Sequence, residues 1–205
     1  MKLAFRLTGC AVLALALLAG CAAQELRVGA AAPEFTATDS RGQTESLAHY
    51  RGKFVVLEWH NQGCPFTRKH YVSGNMQALQ QGWTGKGVVW FTVISSAPGK
   101  QGYVTAGQEN AYLAQVHAAP TAVLLDPEGK LGRLYSARTT PQMVVIDPSG
   151  KVIYDGAIDN RPTPDVEDVR GADNYVSDAL TAAMAGKPVA IPYARPYGCS
   201  VKYPD

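Results

Sequence analysis

Four cysteines stand at positions 10, 21, 64 and 199, and the third sits in a setting that activates a thiol. The segment reads His60-Asn-Gln-Gly-Cys64-Pro65-Phe-Thr67, preceded by the apolar, β-branched run Phe54 to Leu57. That run predicts a buried strand, which Gly63 breaks. Pro65 suits the first turn of a helix, where its missing N–H costs nothing. A Cys at a helix start faces unpaired N–H groups and the positive end of the macrodipole. Such a field favours the thiolate and brings a pKa of about 8.5 down to roughly 3.5–7.5. Arg68 and Lys69, one turn on, add to it if their side chains fold back. The bland alternative is an inert Cys packed as a small hydrophobe.

Other groups flank the thiol. His60 and His70 suggest a metal site at first sight, but two His and one Cys at this spacing fit neither a ligand pattern nor one helical face, so no metal and no cofactor are expected. His60 either orients or deprotonates Cys64, or is a solvated loop histidine. Glu58 lies inside the apolar strand, and a charged group is almost never fully buried unpaired. It is either a buried acid tuned for proton transfer beneath the Cys or a residue facing solvent on alternate pleats. His49, His117 and the three tryptophans, Trp59, Trp83 and Trp90, read as surface or core.

The N-terminus bears on compartment. Met1 to Arg6 carries two positive charges, Leu7 to Leu18 is an apolar stretch too short to span a bilayer, and small residues follow, the layout of a secretory signal peptide. Leu18-Ala19-Gly20-Cys21 also looks like a lipobox, which makes residues 1–20 a lipoprotein-type signal, Cys21 the lipidated N-terminus and residues 21–32 a tether. Ordinary cleavage after Ala23 is the competing reading. Either way the mature chain is expected outside the cytoplasm, in a periplasm or cell envelope where disulfides persist. Two of the 19 basic residues, Lys2 and Arg6, lie in the leader, leaving 17 against 17 acidic ones and no basic footprint for nucleic acid. With Cys10 and Cys21 set aside, Cys64 and Cys199 remain, 135 positions apart, and two thiols in an exported protein invite pairing.

The elements that must hold these residues follow from pattern. Residues 33–47 read as two short strands around Ser40-Arg41-Gly42, and Leu47 to Gly52 as one helical turn. Strand Phe54–Trp59 is followed by a helix from Pro65 to about Gln81, weakened in the middle by Gly74 at a cost of about 1 kcal/mol. Residues 87–94 form a second buried strand, parallel to the first because a helix separates them. A helix over 107–117, a strand over 121–125, a short helix over 131–135 and a hairpin of 142–146 with 151–154 come next. The last helix spans 165–185, with Gly171 able to split it. Residues 191–205, holding three prolines and three tyrosines around Cys199, are expected to be an extended strap.

This order, with a Cys at the first helix start and Thr140-Pro141 before the hairpin, resembles the thioredoxin-like superfamily over residues 33–190. More narrowly it resembles redoxins of the alkyl hydroperoxide reductase and thiol-specific antioxidant type. The resemblance implies an α/β fold: a central mixed β-sheet flanked by helices, with an N-terminal hairpin and an extended C-terminal tail. It implies that Cys64 is the attacking thiol and that Pro141, usually cis in the family, sits against it with Thr140 before it. Pro65 and Thr67 fall in the motif itself, but Thr67 stands where thioredoxins have their second Cys. Asn61 and Leu57 stand where peroxiredoxins have a Thr or Ser and a Pro.

The function expected is therefore a thiol oxidoreductase without cofactor, acting on a peroxide or on a protein or small-molecule disulfide. Cys199 is the resolving thiol, as in redoxins whose second Cys lies C-terminal, and an exported thiol donor re-reduces the pair. The alternative is a redox-silent binding lipoprotein in which a structural Cys64–Cys199 disulfide pins the tail, worth roughly 2–4 kcal/mol. The sequence does not specify an oligomeric state.

Overall fold

The computed structural model describes residues 26–205. The expected leader, its alternative cleavage site and Cys21 lie outside those residues. In chain order the elements are strands β1 (Thr36–Thr38), β2 (Thr44–Ser46) and β3 (Val55–Trp59), helices α1 (Pro65–Val72) and α2 (Asn75–Thr84), and strand β4 (Val89–Ile94). Helix α3 (Ala106–Gln115), strand β5 (Ala122–Leu125), helix α4 (Lys130–Leu134), and strands β6 (Thr139–Thr140), β7 (Gln142–Ile146) and β8 (Val152–Gly156) come next. Helix α5 (Tyr175–Met184) and strands β9 (Tyr193–Ala194) and β10 (Cys199–Ser200) close the chain.

Six strands form one mixed sheet in the order β5-β4-β3-β7-β8-β9. β3, β4 and β5 run parallel, as their helical crossovers require, and β7 runs antiparallel to β3 and β8. β3 is central and buried along its whole length. The period of two assigns its residues to two cores. Val55, Leu57 and Trp59 pack with Phe91, Val93 and Tyr135 on the side covered by α4 and the N-terminal segment. Val56 packs with Trp90, Val145 and Tyr154 under α1, α2 and α5. Glu58 belongs to this second, helix-covered face.

Two expected helices are each divided at a glycine. The helix expected from Pro65 to about Gln81 breaks at Gly74, whose φ of 75° is left-handed, so α1 ends and α2 begins there. The helix expected over 165–185 is a short 3-10 turn, Glu167–Val169, followed by α5, which starts at an Asn174 cap that accepts the Ser177 N–H at 2.9 Å. A capping box between Thr105 and Gln108 starts α3 where the polar loop ends.

The C-terminal segment is more built in than a strap. β9 extends the main sheet by pairing in parallel with β8, and β10 pairs antiparallel with β6, setting Cys199 opposite Thr140 and Ser200 opposite Thr139. Val201 enters the core, Lys202 O accepts the Ala97 N–H at 2.8 Å, and Tyr203 OH donates to Ala137 O at 2.7 Å. Among the described residues, no helix is long and apolar enough to cross a membrane.

Candidate active site

Cys64 is the N-cap of α1, with Pro65 at the first helical position, and its side chain is fully buried. Its thiol donates to Thr140 O at 3.0 Å, across the cis Thr140–Pro141 peptide bond that joins β6 to β7. Cys199, paired with Thr140, brings its sulfur against the Cys64 sulfur, and both are thiols. Close approach of the two strands depends on Gly198. Its φ is 134°, and a Cβ there would lie 2.1 Å from Thr140 O.

The two sulfurs titrate in opposite directions. Burial alone pushes the Cys64 thiol up, but the Cys199 thiol, the Thr140 side chain and the backbone N–H groups of Thr67 and Cys199 converge on it and bring it below its ordinary value. The Thr140 hydroxyl lies beside the sulfur and is itself without a hydrogen-bond partner among the described residues. The basic side chains expected to assist do not. Arg68 is exposed, and Lys69 is buried with Nζ donating to Arg161 O at 2.6 Å. Cys199 is pushed up to about 11, by burial and then by its contact with the Cys64 thiolate. Thr67 is fully buried, with its hydroxyl unpaired beneath the motif.

Glu58 does not face solvent. It is fully buried, and accepts hydrogen bonds from Tyr71 OH at 2.9 Å, Trp90 Nε1 at 2.8 Å, Gln80 Nε2 at 3.1 Å and Thr92 Oγ1 at 3.3 Å. His60 is likewise buried, so it is no solvated loop residue; its Nδ1 lies 3.7 Å from Glu58 and its Nε2 3.7 Å from Glu109 on α3. These separations are ion contacts rather than hydrogen bonds. Burial drives the Glu58 carboxyl up, yet the imidazolium and the donors around it hold the group below its ordinary value. Burial drives His60 down, and Glu58, Glu109 and the Cys64 thiolate more than restore it. Glu109 is raised by burial, against the pull of His60. His60 thus sits between two carboxyl groups and close enough to Cys64 for their charges to interact.

A second buried cluster ties the tail to the Cys64 helix. Tyr197 OH donates to Asp159, Lys69 Nζ lies 3.9 Å from Asp159 and 5.3 Å from the Tyr197 ring centre, and Phe66 meets that ring edge-on at 5.9 Å. His70 Nε2 lies 3.9 Å from the same carboxylate, and burial pushes His70 down to about 4. His70 is thus a neutral spacer here. Among the described residues, no group of three or more His, Cys, Asp or Glu side chains is placed to hold a metal ion.

Sequence reasoning assigned no site role to Glu109, Asp159 or Tyr197, and placed Lys69 beside Cys64 only as an aid to the thiolate. Glu109, Asp159 and Tyr197 reach the site from distant elements, and only the Tyr-rich setting of Cys199 hinted at one of them. Asn61 uses its side chain to accept the Gly63 N–H at 2.8 Å, shaping the turn. A groove of about 460 Å³ is lined by Arg138, Gln142, Asp155 and Tyr193 among others, and neither thiol is among its lining residues.

A family model for AhpC/TSA proteins matches residues 28–155. The chain belongs to the AhpC/TSA family. The match covers the Cys64 turn and Pro141 but stops short of Asp159 and the tail. No relative was found among proteins of curated function. Among solved structures, the redoxin is similar to a hypothetical protein of Sinorhizobium meliloti at 19% identity and TM-score 0.75, covering 88% of this chain and 97% of that one. It is also similar to an uncharacterized conserved protein of Geobacillus kaustophilus at 22% identity and TM-score 0.73, covering 87% and 93%. A protein of Chlorobium tepidum described as a thiol:disulfide interchange protein, DsbE, aligns at 28% identity and TM-score 0.51, over 64% of this chain and 85% of that one. Family and fold place the redoxin among thioredoxin-like thiol oxidoreductases of mixed α/β architecture.

Proposed function

We propose that this redoxin is an extracytoplasmic thiol:disulfide oxidoreductase in which Cys64 is the nucleophile and Cys199 the resolving thiol. The observation that carries the reading is the β10–β6 pairing, which seats Cys199 against a Cys64 whose thiolate is favoured. Cys64 thiolate attacks one sulfur of a substrate disulfide, forming a mixed disulfide and releasing one substrate thiolate. Cys199 thiolate then attacks the Cys64 sulfur, releasing the second substrate thiolate and leaving a Cys64–Cys199 bridge. The protons lost by the two thiols go to the two departing thiolates. The bridge is opened by a thiol donor outside the cytoplasm. Cys64 is covered by the tail, so the first step requires β10 to lift.

Disulfide exchange is favoured over peroxide reduction because Asn61, where peroxiredoxins carry Thr or Ser, is already committed to the Gly63 N–H. His60, held by Glu58, supports the thiolate electrostatically, Thr140 and Pro141 form the wall against which it lies, and Pro65 and Thr67 shape its helix start. The positively charged, apolar N-terminal layout ending in Leu-Ala-Gly-Cys21 supports export and a lipid anchor. That part is tested by radiolabelled fatty acid incorporation and membrane fractionation, both of which Cys21→Ala is expected to abolish.

The redox reading is tested by differential alkylation and mass spectrometry of the leaderless protein before and after oxidised glutathione or hydrogen peroxide. Oxidised glutathione is expected to convert both thiols to the bridge, and dithiothreitol to reverse it. A bridge that resists excess dithiothreitol would instead make the protein a redox-silent binding module. Faster oxidation by peroxide would move the substrate class to peroxides.

A further inference from the structure

Glu109 is a buried acid that the exchange chemistry leaves unused. It lies in the first turn of α3, which the Thr105–Gln108 capping box starts, and it faces inward with Leu113 one turn on. It has no exposed surface, and neither carboxyl oxygen has a hydrogen-bond partner among the described residues. A buried carboxylate so placed needs a counter-charge. Among the described residues, the cation within ion-contact distance is His60, whose Nε2 stands 3.7 Å from the Glu109 carboxylate. That gap is too long for a hydrogen bond, and a bridging water with two bonds of about 2.8 Å would need more than about 4 Å, so charge couples the two groups directly.

Glu58, at the other ring nitrogen, stands differently. Side-chain donors from Tyr71, Gln80, Trp90 and Thr92 already satisfy its carboxylate. Glu58 therefore keeps its charge without His60, whereas Glu109 depends on it. The other polar groups against the imidazole are phenols: Tyr71 of α1, with ring centres 4.8 Å apart, and Tyr112 of α3, at 5.7 Å. Burial raises both, Tyr112 to about 12, so neither brings a charge at neutral pH. Arg68, exposed on α1, acts on Tyr112. His60 precedes Cys64 by four residues, and the two groups interact electrostatically.

We infer that Glu109 is a positioning residue for the Cys64 chemistry: it keeps the proton on His60, and the resulting imidazolium, not Glu109 itself, supports the thiolate. That role rests on the redox reading above and brings α3 into the site. Two opposed effects give it a sign. Acting directly, the Glu109 carboxylate repels a thiolate and makes Cys64 harder to ionise; acting through His60, it holds a positive charge that makes Cys64 easier to ionise. Removing the Glu109 charge therefore moves the Cys64 titration upward only where the route through His60 dominates.

The test is a double-mutant cycle on the full mature chain, reduced, with the pH dependence of Cys64 alkylation as readout. Glu109→Gln is expected to move the half-point upward, as His60→Gln does, slowing alkylation below it by roughly ten-fold. In a chain already carrying His60→Gln, Glu109→Gln is expected to leave the half-point in place or to lower it. A fall or no shift from Glu109→Gln alone would overturn the inference, and so would an equal rise in both backgrounds, which is the mark of altered packing. A wild-type Cys64 that reacts only at or above the ordinary thiol value would instead remove the redox reading beneath it.

The charge on His60 is read separately by nitrogen-15 spectra of histidine-labelled protein at neutral pH. The wild-type His60 ring is expected to carry protons on both nitrogens and to become neutral in Glu109→Gln. A neutral ring in wild type, or a charged one in Glu109→Gln, contradicts the role.

Discussion

The Cys64 turn and the Cys199 tail bring the same functional group to one point by opposite means. Cys64 is held between buried, regular elements: a strand buried from end to end, the Asn61–Gly63 turn and a helix start. Cys199 sits on a two-residue strand whose place depends on a glycine, one strand pairing and the Tyr197–Asp159–Lys69 cluster. Burial raises both thiols, yet donors converge on one and not on the other, so the contact that stabilises the Cys64 thiolate is the contact that keeps the proton on Cys199. An anchored nucleophile and a releasable partner are what a two-thiol cycle needs. The tail must leave for substrate and return for resolution.

The comparison breaks most completely if the anchored thiol is removed. Cys64→Ser is expected to reduce turnover of a small disulfide to background, whereas Cys199→Ser permits one round and stalls at a mixed disulfide on Cys64, readable by intact mass. Next in size is the release of the tail. Gly198→Ala places a methyl where Thr140 O already stands, in a conformation that costs of order 1–3 kcal/mol. Bridge formation is expected to slow by about ten-fold, and Cys64 in the reduced protein should alkylate faster at neutral pH because its cover is gone. Slower alkylation would mean that the tail is not what covers it.

The latch gives a smaller effect. Asp159→Asn removes the charge facing Lys69 and leaves Tyr197 only a neutral amide oxygen as acceptor, with an expected loss of roughly 1–3 kcal/mol in denaturant unfolding. Tyr197→Phe, which keeps the ring over Lys69 and Phe66, should cost about 1 kcal/mol. Equal losses would mean that the carboxylate serves only the tyrosine.

The smallest effect is a slope. The folded state holds the His60 proton more tightly than the unfolded chain, whose value is near 6.5, so His60 contributes stability that is full below 6.5 and is lost as pH rises through the raised folded value. The stability of wild type minus His60→Gln should therefore decline with pH above 6.5. A difference that grew with pH would place a neutral imidazole between Glu58 and Glu109.

What the sequence conveyed follows the same division. The Cys64 turn was legible because its signals are local: β-branched residues, then Gly63, Cys64 and Pro65 within a dozen positions. The hairpin pattern and Thr140-Pro141 were legible for the same reason. Glu58 was not, since the pleat alone allows either face, and its burial is decided by Trp90 from a neighbouring strand and Tyr71 and Gln80 from two helices. Glu109 and Asp159 look like ordinary surface acids in sequence and become site residues only through contacts 40 to 100 positions away. At Gly74 and Gly171 the helical pattern of the flanking residues did not prevent the left-handed backbone that divides each segment.

The contrast between the two thiols is tested most directly by titrating them separately. Reduced protein is pulse-labelled with an isotope-coded alkylating reagent across a pH series, and the Cys64 and Cys199 peptides are quantified by mass spectrometry. Cys64 is expected to reach half-maximal reaction below the ordinary thiol value of about 8.5, and Cys199 only near 11. Reversal of that order, or two curves that coincide, would contradict an activated Cys64 partnered by a protonated Cys199.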